Sequence, residues 1–172
     1  MSALTETTSL SAVVEEKVIT VSAQLEEVSP DEVLSSLQEG LKSEIIFQLR
    51  LYHKNRGFFS FFGDRLILEK TITRIAYLDI FEDLFVLETE ELGIRKFRRK
   101  DHFLKSFFQL QDYRLAELSD ENSSKFYVLA RISLKPVRIV TPLNIISLFF
   151  RSTAITTPWA ETALAKRQGP DF

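Results

Sequence analysis

Histidine is the side chain that most often moves protons near neutral pH, and this sequence carries only two, His53 and His102. Neither stands in a metal-ligating H-E-x-x-H spacing, and the five glycines form no phosphate loop and no G-x-S-x-G elbow. His53 ends an alternating segment beside Lys54, and His102 falls in the first turn of an expected helix, so both read as ordinary surface or capping histidines. The absence of cysteine removes disulfides, thiol chemistry and thiolate metal sites. Carboxylates are plentiful, but no spacing singles out an acid–base pair. These residues predict a protein that is not an enzyme, with no cofactor and no metal site.

Two other stretches could contact a partner. In GIRKFRRKDHFLKSFF, the cations Arg95, Lys96, Arg98, Arg99, Lys100 and Lys105 alternate with Phe97, Phe103, Phe107 and Phe108. Cations neutralise phosphates and aromatics stack on bases, so the mixture suits a nucleic-acid site. However, 22 basic against 24 acidic residues give a net charge of −2, without the overall positive field such proteins carry. Phe103, Leu104, Phe107 and Phe108 also recur at helical spacing, as a core-facing stripe requires. The segment therefore predicts a buried stripe flanked by solvated charge, with Arg95, Lys96, Arg98, Arg99 and Lys100 as a candidate patch for an acidic protein partner and not for nucleic acid.

RGFFSFFGDR places Phe58, Phe59, Phe61 and Phe62 between two glycines, where the chain turns. Adjacent residues of an extended chain point to opposite sides, so the four rings cannot all face one core. At least one of each pair is expected at the surface, as a contact for a partner or an apolar membrane layer. The competing arrangement has Gly57 and Gly63 folding the turn back under the sheet and burying all four rings.

The elements that would hold these stretches follow from periodicity. KVITVSAQLEEV, SEIIFQLRLYHKN, RLILEKTITRIAYLD, LFVLETEE, DYRLAELS and KFYVLARISLKP alternate or are β-branched and read as strands. SPDEVLSSLQEGL predicts a helix capped by Ser29, begun by Pro30, boxed by Glu32 and stopped at Gly40, burying Val33, Leu34, Leu37 and Leu41. A second helix starts near Asp101. Two Pro-initiated segments, TPLNIISLFF and TPWAETALAKR, predict short helices capped by Thr141 and Thr157, with Trp159 packed back on the sheet. The pattern is α+β: a mainly antiparallel sheet with two to four short helices on one face, or alternatively a β-sandwich with helical decorations. A single α+β domain is expected over residues 15–164, with a flexible segment at 1–14 and a tail at 165–172.

No stretch reaches the ~18 uninterrupted apolar residues of a membrane-spanning helix. MSALTETTSLSAVVEEK has neither the basic start nor the apolar run of a signal peptide.

The series EVLSSLQEGLKSEIIFQLRLYHKNRGFF, RIAYLDIFEDLFVLE, FYVLARISLKPVRIVTPLNIISLF and ITTPW resembles a bacterial family, domain of unknown function 4390. The likeness runs through Gly40, Arg50 and Arg56, Arg74 with Tyr77, Leu134 with Pro136, Pro142 with Leu143, and Trp159, over most of residues 15–160. The chain departs from the pattern after Arg56, where a Trp is expected, and in its continuation beyond Trp159. The resemblance implies an exported or membrane-tethered protein, often encoded beside a sensor kinase, and carries over no catalytic residue. The expected function is thus a non-enzymatic accessory or sensing module of the periplasm or cell envelope, its leader absent from this sequence, that binds a protein such as a membrane protein or sensor kinase. The alternatives are an apolar-ligand or membrane-surface binder using the aromatic turn, and a cytoplasmic location.

Overall fold

The structure is a computed structural model and describes residues 8–26, 28–55, 61, 63–118, 123–137 and 154–166. Its framework is β3 (Lys42–His53), a strand that obeys period-two alternation from Lys42 to Tyr52 and in which Ile45, Phe47, Leu49 and Leu51 are fully buried. β3 pairs antiparallel with β4 (Arg65–Asp79) on one side and with β8 (Phe126–Val137) on the other. β5 (Leu84–Thr89) and β6 (Gly93–Phe97) extend the sheet beyond β4, while β9 (Ile155–Thr156) and β10 (Ala160–Ala163) line the far side of β8.

A second sheet is built on β2 (Val18–Leu25), which pairs antiparallel with β1 (Thr8–Glu15) and β7 (Gln109–Glu117). The short β11 (Ala165–Lys166) adds parallel to β1. Ile19, Val21, Ala23 and Leu25 of β2 join the inward residues of β3 and β8 in one hydrophobic cluster. Two helices contribute to it, α1 (Pro30–Gln38) through Val33, Leu34 and Leu37, and α2 (Lys100–Phe108) through Phe103, Phe107 and Phe108. The architecture of the described residues is therefore sheet-rich, with open, largely antiparallel sheets and two α-helices among them, α+β in outline but dominated by its strands.

Several local expectations are met with altered chemistry. Ser29 occupies the N-cap of α1 and Pro30 its first turn, yet the Ser29 side chain makes no capping bond; its carbonyl accepts from the Glu32 amide at 3.3 Å. Gly40 takes φ +80°, the left-handed conformation that ends a helix at low steric cost. Leu41 is half-buried and lies outside the central cluster.

Two expectations require correction. Residues 8–14, assigned from sequence to the flexible segment ahead of the domain, form β1 together with Glu15 and pair with β2 from Thr8↔Leu25 to Glu15↔Val18. In TPWAETALAKR, residues 157–166 are extended and not helical. β8 offers an edge whose donors and acceptors need partners, and Ala160–Ala163 fill it in register with Tyr127–Ala130. Thr157, expected as a helix cap, is buried at the step between β9 and β10. Its amide donates to the Ile132 carbonyl at 2.9 Å, and its Oγ1 accepts from the Ile132 amide at 3.1 Å, in place of a backbone carbonyl. The same Oγ1 accepts from the Thr8 hydroxyl at 2.8 Å, which ties the two sheets at this corner. The TPLNIISLFF segment, residues 141–150, lies outside the described residues.

Trp159 does pack on the sheet, half-buried on the outer face between two guanidinium groups. Arg50 lies 4.5 Å and Arg131 4.6 Å from its ring centroid. Arg131 is held by two bonds to Gln48 Oε1 (2.9 and 2.7 Å), and Arg50 by Glu69 at 2.9 Å, so both cations are also positioned by partners other than the ring. Two cation–π contacts of ~0.5–1 kcal/mol each, together with partial burial of the ring, make Trp159→Ala destabilising by about 2 kcal/mol. Urea unfolding checks this: an unchanged midpoint would show that the C-terminal strands are held without the ring.

Candidate functional site

The first candidate lies at the far end of the β3–β4 hairpin. The expected hairpin is present, with His53 opposite Arg65. Its neck is tied by polar bonds: the Asn55 amide donates to Asp64 Oδ1 at 3.0 Å, and the Asn55 side chain donates to the Gly63 carbonyl. The Tyr127 hydroxyl donates to Asp64 Oδ2 at 3.0 Å, and the Lys54 amide to the Lys125 carbonyl at 2.7 Å, which moors the neck to the start of β8. Tyr52 stacks on Tyr127 at 5.3 Å. His53 meets Phe126 edge-on at 4.9 Å, a packing role.

Of the aromatic turn, Phe58, Phe59 and Phe62 lie outside the described residues, while Phe61 is 89% exposed. Beside it Leu66 and Ile67 are 44% and 45% exposed. The ladder shifts register between Leu51↔Leu68 and Tyr52↔Leu66, so Ile67 is the extra residue of a bulge. β5 pairs with β4 only from Arg74 to Asp79. Beyond the Lys70–Glu91 ion pair (3.3 Å), the outer edge of β4 from Glu69 back to Arg65 carries no described strand.

A second apolar tip, not singled out in the sequence, sits at the opposite end of β4, where Ile80 and Phe81 are 76% and 98% exposed. Asp79 Oδ1 accepts from the amides of Phe81 (3.1 Å) and Glu82 (3.3 Å), a turn that closes tightly onto paired β5.

The basic segment does not form one patch. On β6, Arg95 and Lys96 face opposite sides of the sheet, as adjacent strand residues must. Lys96 binds Glu82 and lies 3.7 Å from Asp79; the hydrogen bond to Glu82 above all holds its pKa above the usual lysine value. Arg99 pairs with Asp101 at 3.6 Å, and Arg98 and Lys100 are exposed. Arg95 stacks over Phe97 at 5.4 Å and lines a cleft of about 450 Å³ between β6, α2 and β7.

That cleft contains a residue whose burial the sequence reading did not anticipate. Arg74 occupies an inward position of β4 between Ile72 and Ala76, only 8% exposed. Its guanidinium lies 5.0 Å over the Phe47 ring, and Nη1 donates to the carbonyls of Ser106 (2.6 Å) and Gln109 (2.7 Å) at the C-terminal end of α2. These are carbonyls that a helix end leaves without an internal partner, and a cation there also complements the helix dipole. Burial, and then the nearby charge of Arg95, pull the Arg74 pKa down to about 10, with Glu91 opposing, so the group remains charged at neutral pH. Strand parity was the available signal, since residues 72, 74 and 76 share the inward face.

Two tyrosines are shifted the other way. Burial, reinforced by Asp64, pushes Tyr127 up to about 12, and burial with a 2.8 Å bond to Glu91 does the same for Tyr113. An acid whose folded pKa exceeds its ordinary value of 10.0 stabilises the fold fully below pH 10; that contribution disappears as pH rises through about 12. The urea midpoint should therefore fall over this window, with late phenolate absorbance. Tyr127→Phe should remove part of both; an unchanged late absorbance in this variant would contradict the Asp64 tether.

Among the described residues, no three His, Asp or Glu side chains converge as a metal site, and no helix is long and apolar enough to cross a membrane. No curated protein and no solved structure matches the chain. A family profile described as Domain of unknown function (DUF4390) matches residues 3–163, nearly the whole sequence. The chain belongs to that family.

Proposed function

We propose that this protein is a non-enzymatic binding module of the bacterial cell envelope, whose partner is a protein that adds an extended segment to the outer edge of β4 at the end of the β3–β4 hairpin. The observation that carries the reading is the conjunction of the edge at 65–69, on which no described strand pairs, with the exposed side chains of Leu66, Ile67 and Phe61. Main-chain donors and acceptors along such an edge supply affinity to an added strand, and flanking apolar side chains supply selectivity. The envelope location is what the family likeness implies. The Ile80–Phe81 tip fits this role less well, because its turn closes directly onto a paired strand.

The exposed Phe61 also supports a second reading, docking of the aromatic tip on an apolar membrane layer. An open strand edge opposes deep insertion, since hydrocarbon offers no partner to backbone N–H and C=O groups.

Affinity pull-down from envelope extract, with liposome flotation in parallel, separates the two. Leu66 and Ile67 are exposed, so Leu66→Lys/Ile67→Lys should preserve the thermal midpoint. Removing two side chains that each contribute up to ~1.5–3 kcal/mol on docking should lower recovery of the partner at least about tenfold. Flotation that depends on Phe61, lost in Phe61→Ser while protein recovery is untouched, would replace the strand-addition reading with the membrane one.

A further inference from the structure

We propose that the cleft between β6, α2 and β7 binds a small oxyanion, a phosphate or carboxylate group carried on a compact apolar body. Four basic side chains converge on it: Arg74 from β4, Arg95 from β6, and His102 and Lys105 from α2. No Asp or Glu is among the residues that line it.

The contrast with the rest of the basic segment is informative. Lys96 and Arg99 each have a carboxylate within 4.0 Å, whereas Arg95, His102, Lys105 and Arg74 form no ion pair among the described residues. Glu91, whose negative charge acts on Arg74, is engaged by Lys70 at 3.3 Å and by the Tyr113 hydroxyl at 2.8 Å. The fold thus holds basic groups together against their mutual repulsion, and the charge of Arg95 opposes the charged form of Arg74. A bound anion would relieve that repulsion.

The geometry also separates rigid from adaptable parts. Arg74 is pinned from below by Phe47 and by the two carbonyls at the end of α2, so it supplies a fixed positive floor. Arg95 and Lys105 are exposed at the mouth and can close on an oxyanion by charge-assisted hydrogen bonds. Leu92, 65% exposed, and Phe97 give the same cleft an apolar wall. A volume of about 450 Å³ lies in the range of small-molecule sites and is far larger than one anion requires, which is why an apolar body is part of the proposal.

The test is an NMR titration of the full chain with inorganic phosphate, hexanoate and hexyl phosphate, each against sodium chloride at equal ionic strength. The expected result is a saturable shift of the Arg95 side-chain and His102 ring signals, with hexyl phosphate binding more tightly than inorganic phosphate. Hexanoate against hexyl phosphate distinguishes a carboxylate from a phosphate as the preferred group. Arg95→Gln and Lys105→Gln should each weaken binding about tenfold, the loss of one charge-assisted contact, without moving the thermal midpoint. Arg98→Gln, outside the cleft, should leave binding unchanged. Shifts that never saturate, that match those in chloride, or that survive in Arg95→Gln and Lys105→Gln would overturn the proposal.

Discussion

The burial of one face of β3 is the constraint on which the rest of this structure depends. Ile45, Phe47, Leu49 and Leu51 have no solvent exposure, and both edges of the strand are occupied, by β4 and β8. A slip of one residue in either pairing would turn this row to the outside, so register is fixed on both sides at once. The consequences spread outward. β8 is held in place to receive Thr157 and β10, and Arg50 and Gln48 on the opposite face are placed to build the pocket for Trp159.

The same row determines the polar chemistry of the interior. Phe47 supports the Arg74 guanidinium, which caps α2 and thereby fixes the position of His102 and Lys105 relative to Arg95. A charge is tolerated there because its donors meet carbonyls that would otherwise be unsatisfied, and because its ring neighbour presents a face and not an edge. The buried strand, the helix cap and the basic cleft are consecutive links in one chain of contacts.

Much of this was legible in the sequence because strands with one wet face write their burial in a period of two. Ile19, Val21, Ala23 and Leu25, the β3 row, and the phenylalanines of α2 were all placed correctly by spacing alone. The illegible parts share a physical cause, which is dependence on a distant partner. Thr157-Pro158 is a good helix start locally, yet the unfilled edge of β8 outweighs that preference. β1 has modest alternation and becomes a strand because β2 offers it a full ladder. The five cations of residues 95–100 look like one patch on a line, but strand parity and the carboxylates of Asp79, Glu82 and Asp101 divide them. Arg74 enters the cleft only through folding.

The edge of β4 that no described strand covers is the feature on which the functional account rests. A strand that is paired on both sides protects successive amides, whereas one paired on a single side protects only alternate amides, those directed at its neighbour. Residue-resolved hydrogen exchange on the isolated protein measures this directly. The account predicts continuous protection from Arg74 to Ala76, where β3 and β5 both flank the strand, and alternating protection from Arg65 to Glu69, where among the described residues only β3 does. Continuous protection across residues 65–69 in the absence of any partner would mean that the edge is already covered, and would contradict strand addition as the mode of binding.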